Sequence, residues 1–123
     1  MKLRIKGNSL RLRLTQTEIA NFGEQGIIEE KTAFPNGSYF RFAIERKKGI
    51  MELEADLTGN LMTVFVPESI AQEWVTTDKV GFENKMDLGN GNSLFLLIEK
   101  DWVCLDNSIE DQEDNFPNPN TVC

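Results

Sequence analysis

Arg4, Arg11 and Arg13 each stand between two aliphatic residues, in the runs Leu3-Arg4-Ile5 and Leu10-Arg11-Leu12-Arg13-Leu14. Alternation of this kind sends the cations to one side of an extended chain and the aliphatic side chains to the other. Lys2 and Lys6 share the parity of Arg4. Guanidinium groups are planar forks of N–H donors suited to phosphate or carboxylate oxygens, so Arg4, Arg11 and Arg13 form a candidate anion-binding group. Glu52, Glu54 and Asp56 alternate in the same way with Leu53 and Ala55. Carboxylates on one face offer hard oxygen ligands, which makes these three the candidate metal group, for Mg²⁺ or Mn²⁺. A third cluster, Cys104, Asp106, Glu110, Asp111 and Cys123, lies near the C-terminus. It lacks the glycine and spacing of a calcium loop, and it would mix soft thiolates with hard carboxylates. The plainer reading is a solvated acidic tail. A Cys104–Cys123 disulfide is not expected in a reducing cytoplasm.

The chain contains no histidine. That removes Ser-His-Asp and Cys-His nucleophilic machinery and the commonest zinc ligand. No cofactor is expected unless the arginines and the acids face one another inside a closed barrel. Triphosphate-tunnel enzymes have that arrangement, and the run Glu52-Leu53-Glu54-Ala55-Asp56 resembles their Glu-x-Glu-x-Lys signature loosely and at mid-chain. Such a resemblance implies metal-assisted phosphohydrolysis or polyanion binding. An open sheet would instead leave both groups as polar faces. Nucleic acid is disfavoured, because the basic stretch has no interleaved stacking aromatics and the acidic tail would repel a phosphate backbone.

Charge is unevenly spread along the 123 residues, whose formal net charge is −7. Residues 1–17 hold five cations and no acid, whereas residues 101–123 hold six acids and no cation. The longest apolar run, Leu94 to Ile98, is five residues, far below the roughly 20 needed for a membrane helix. The N-terminus has no secretory pattern, so a cytoplasmic location is expected. Size and composition (40% hydrophobic, 27% charged) suit one globular domain over 1–105, with residues 106–123 as a tail packed on it.

Period-2 patterning predicts strands over 2–6 and 9–14, joined at Gly7-Asn8. Thr15 to Glu18 reads as a capping box for a helix burying Ile19 and Phe22 and stopping at Gly23. Strands follow over 27–34, 39–46, 50–57 and 61–66, with Phe40, Phe42, Ile44, Met51, Leu53, Ala55 and Leu57 facing the core. Pro67 opens a second helix that buries Ile70, Ala71, Trp74 and Val75. A hairpin turning at residues 89–92 closes the pattern, and its second strand, apolar on both parities, belongs at the centre of a sheet. No internal repeat is evident. The fold class is α+β: a mostly antiparallel, strongly curved sheet or barrel of about eight strands, with two short helices and an extended acidic tail.

The opening MKLRIKGNSLRLRLT and the ending EKDWVCLD…EDQEDNFPNPN…C resemble a family of small uncharacterised bacterial proteins, chiefly of Bacteroidetes-type organisms. The resemblance spans the chain. It implies one bacterial domain with no assigned activity, and a tail that belongs to it. The function expected is a non-enzymatic binding or interaction module, its ligand unidentified, with a homodimer as an open alternative for its partner. The competing reading is a metal-assisted phosphohydrolase of the tunnel type.

Overall fold

The computed structural model describes residues 1–101, so the tail cluster of Cys104, Asp106, Glu110, Asp111 and Cys123 lies outside the described residues. The elements run β1 (Lys2–Lys6), β2 (Ser9–Leu14), α1 (Gln16–Gln25), β3 (Ile27–Ala33), β4 (Tyr39–Lys47), β5 (Glu54–Thr58), β6 (Leu61–Pro67), α2 (Glu68–Thr76), β7 (Gly81–Gly89) and β8 (Asn92–Lys100). A single 3₁₀ turn, Pro35–Gly37, joins β3 to β4. The α+β class holds, but the strongly curved sheet or barrel does not form. Among the described residues eight strands make two open four-stranded sheets, β1-β2-β8-β7 and β3-β4-β6-β5. Each is two antiparallel hairpins joined by a parallel ladder, β2 with β8 and β4 with β6. Alternation reports which face of a strand is buried, not which strand lies beside it, so the pattern fits one sheet or two.

One apolar core joins the layers. Leu12, Leu14, Leu96 and Ile98 come from the first sheet, Phe42, Ile44, Met62, Val64 and Val66 from the second, and Ile19, Phe22, Ala71 and Trp74 from the helices. Phe22 meets Trp74 edge to face, with ring centroids 6.0 Å apart. Among the described residues no helix is long and apolar enough to cross a membrane.

The element order repeats, which corrects the expectation of no internal repeat. β1-β2-α1-β3-β4 is followed by β5-β6-α2-β7-β8. A constant offset of 52 carries the pair Leu3↔Leu12 onto Ala55↔Val64, and one of 54 carries Ile28↔Ile44 onto Phe82↔Ile98. The parallel pair Leu12↔Ile98 accordingly maps onto Val64↔Ile44. Each sheet takes the first hairpin of one half and the second hairpin of the other. The two halves can share this plan with little sequence identity because the core asks only for apolar side chains of suitable volume. The turns Gly7-Asn8 and Gly59-Asn60, 52 residues apart, are the clearest trace.

Three local expectations change. Helix α1 passes through Gly23 and ends at Gly26, whose φ of 77° suits a left-handed C-cap. Gly23 instead lets the helices approach, since a Cβ there would lie 2.6 Å from Val75 Cγ1. Strand β5 begins at Glu54 rather than Ile50. Leu53 is buried, but Met51 and Leu57 do not face the core, being 86% and 67% exposed. Met51 falls in the connection before the strand. Leu57 sits beside the Gly59-Asn60 turn, as its counterpart Ile5 sits beside Gly7-Asn8, and both hairpin tips project past the core.

A candidate anion-binding face

The hairpin of β1 and β2 is short because Gly7, with φ of 53°, turns the chain tightly and returns it in register. Lys2 then stands opposite Arg13 and Arg4 opposite Arg11. Strand β8 extends these rows across the sheet, with Glu99 beside Arg13 and Leu97 beside Arg11. Period-2 pleating puts all of them on the face opposite the core. Lys2, Leu3, Arg4, Arg11 and Arg13 line one cleft there, of about 170 Å³. The three predicted anion-binding residues therefore converge.

Glu99 organises the cluster. Arg11 Nε and Arg13 Nε both donate to its Oε1, the latter at 2.7 Å. Arg13 and Glu99 are only 6% and 7% exposed. A carboxylate held in this way fixes the guanidinium planes and offsets part of their charge. At the rim, Lys2 Nζ lies 2.8 Å from Asp101 Oδ2, and Asp101 N–H extends the parallel ladder by donating to Leu14 O. Sequence reasoning missed Glu99, although a charged residue directly after the run Leu94 to Ile98 was a signal.

The second half of the repeat shows what the same backbone carries when this cluster is absent. The offset of 52 places Glu54 where Lys2 stands, Asp56 for Arg4, Thr63 for Arg11 and Phe65 for Arg13. Glu45 and Ala43 occupy the positions of Glu99 and Leu97. Two of the predicted metal-site residues, Glu54 and Asp56, are thus the acidic counterparts of Lys2 and Arg4, on an edge strand of the other sheet. Asp56 Oδ2 accepts from Thr58 Oγ1 at 2.6 Å, and Glu52 lies exposed in the connection before β5. Among the described residues no three His, Cys, Asp or Glu side chains gather as a group able to hold a metal ion. Among the described residues the two open sheets form no walled tunnel in which these acids could meet the arginines.

Glu18 is a further charged node, structural in character. The amine of Met1 and the Thr15 N–H donate to its carboxylate, and the amine also reaches Glu30 Oε1 at 3.2 Å. Burial pushes the Glu18 carboxyl up, but the amine's hydrogen bond and charge and the Thr15 donors outweigh that, holding it below the usual glutamate value. A second concavity, about 590 Å³, lies where α1 and α2 meet the ends of β2 and β8, bordered by Leu14, Ile19, Val75 and Asp101.

No curated protein and no solved structure matches the chain. One family model does, over residues 1–120, described as a family of unknown function. With nearly the whole length matched, the chain belongs to that family, DUF7009.

Proposed function

We propose that this protein is a non-enzymatic binding module whose ligand carries closely spaced negative charges, of the polyphosphate or polycarboxylate kind. The observation that carries the reading is the convergence of Arg4, Arg11 and Arg13 on one cleft, at positions where the second half has Asp56, Thr63 and Phe65. The backbone plan does not require arginine there, which supports a role for the cluster beyond its share in stability. Binding is favoured over catalysis because Glu99 already accepts from two guanidinium groups and serves to orient them rather than to take a proton. A bacterial cytoplasm, rich in phosphorylated and carboxylated solutes, is the setting this reading assumes.

The test is calorimetry with phosphate, pyrophosphate and tripolyphosphate on the full chain and on Arg4→Glu. Arg4 is exposed, and surface changes usually stay within about 0.5 kcal/mol, so this substitution should move the melting temperature by no more than about 3 °C. The expected result is affinity that rises with ligand charge, falls with salt and drops at least about tenfold in the variant. Equal affinity in both proteins would overturn the assignment of the site.

A further inference from the structure

We infer that the ligand is a nucleoside polyphosphate, its phosphates held by the arginine cleft and its base stacked on Phe95, with Leu97 beside the ring. This deepens the binding-module reading and rests on it. Phe95 alternates with the fully buried Leu96, so its side chain stands on the same face as Arg4, Arg11 and Arg13. It is 37% exposed, and it is the one aromatic among the described residues of that face. Leu97, directly beside Arg11, is half-buried. The other half of the chain carries Arg41 where this sheet has Phe95, and Ala43 where it has Leu97. The shared backbone plan therefore asks for neither, just as it does not ask for the arginines.

The spacing suits such a ligand. One row across the sheet reads Lys6, Ser9, Phe95 and Lys85, and the next reads Arg4, Arg11, Leu97 and Glu83. Strands lie about 4.8 Å apart and alternate residues about 6.7 Å apart, which puts the Phe95 backbone about 8 Å from that of Arg11 and about 12 Å from that of Arg4. An extended nucleotide separates its base from its β- and γ-phosphates by a similar span. The β1–β2 turn fixes the ring's position relative to the cations. Asn8 O accepts from the Phe95 N–H at 3.0 Å, and Asn8 Nδ2 donates to Ser93 O. A ring held on a paired strand loses little freedom when a base settles on it. Glu83 and Asp87 border the platform on β7, and carboxylates there oppose a phosphate backbone continuing past the base. The occupant is therefore a free nucleotide rather than a nucleic-acid strand. Stacking on an aromatic side chain strengthens binding of a base by roughly 5–100-fold, and a platform that covers one side of the base belongs near the lower end, at about tenfold.

The experiment titrates ATP and tripolyphosphate by calorimetry into the full chain and into full-length Phe95→Thr, Phe95→Trp and Arg4→Glu. Phe95→Thr should weaken ATP about tenfold and leave tripolyphosphate within about twofold. Arg4→Glu should weaken both ligands at least about tenfold. Phe95→Trp should keep its ATP affinity, and ATP should quench its fluorescence beyond any quenching in the unsubstituted protein, whereas tripolyphosphate should not. Unchanged affinity of Phe95→Thr for both ligands would overturn the platform and leave the anion site standing. Where Phe95→Thr does not fold, Phe95→Trp decides, and an absence of ATP-specific quenching would overturn the platform in the same way. ATP binding that depends on Phe95 but not on Arg4 would overturn the arginine cleft as the phosphate site. No binding of either ligand by the unsubstituted protein would overturn both readings.

Discussion

Glu99→Gln separates the two roles assigned to the buried carboxylate. The substitution keeps the side chain's shape and one acceptor oxygen but removes the charge between Arg11 and Arg13. Breaking a buried ion pair costs about 3–5 kcal/mol, and a hydrogen bond to a charged group is worth about 1.5–3. Because glutamine still accepts, and Arg11 is partly exposed, the expected loss is about 2–3 kcal/mol. In a domain of this size that lowers Tm by roughly 10–20 °C. The same change leaves the cleft more positive, so the folded variant should bind tripolyphosphate more tightly than the unsubstituted protein. Ligand should therefore restore a larger part of the lost Tm than it adds to the unsubstituted protein. Thermal melts with and without tripolyphosphate measure both quantities. A Tm loss below about 3 °C would refute the claim that Glu99 neutralises buried cations. Equal ligand-induced shifts in the two proteins would refute the claim that its charge opposes an incoming anion.

Three other outcomes follow from named contacts. Gly23→Ala should lose about 1 kcal/mol in urea unfolding, because overpacking against Val75 outweighs the better helix propensity of alanine. Adding Val75→Ala should recover the Gly23→Ala penalty in a double-mutant cycle. Glu18→Gln should destabilise the protein near neutral pH. The carboxyl is lowered in the folded state, so its contribution is complete above the ordinary glutamate range and disappears as pH falls through the lowered value; denaturation curves of the two proteins should converge in acid. Asn84→Ala should weaken the anchoring of Leu53 ahead of β5, since Asn84 Nδ2 donates to the Leu53 carbonyl at 2.8 Å. The expected loss is about 1 kcal/mol, with amide exchange quickening first along β5.

Much of this architecture was legible in residue spacing. The alternation at Lys2–Lys6 and Ser9–Leu14, and the glycine turn between them, were enough to place Arg4, Arg11 and Arg13 on one face of one hairpin. The Thr15–Glu18 capping box was equally plain, because capping is a local exchange of hydrogen bonds. What escaped was long-range pairing. Glu99 joins Arg13 across a separation of 86 residues in a parallel ladder, and no local signal names a parallel partner. The same blindness merged two sheets into one and hid the repeat. It also extended β5 back to Ile50, since Met51, Leu53, Ala55 and Leu57 keep a strand's alternation although the chain becomes strand only at Glu54.

The exchange of hairpins between halves sets an order of events in the chain's assembly. Strand β2 finds its central neighbour only when β8 arrives, because Ser9 pairs with Phe95. At synthesis rates of about 5–20 residues per second, the leading hairpin waits roughly 4–17 s with its inner edge unzipped. The middle of the polypeptide, β3 to β6, can by contrast close its own sheet while translation continues. The nascent protein therefore holds a sticky β1–β2 ribbon until β8 emerges, and a stalled ribosome would leave that ribbon open to pairing with a stranger.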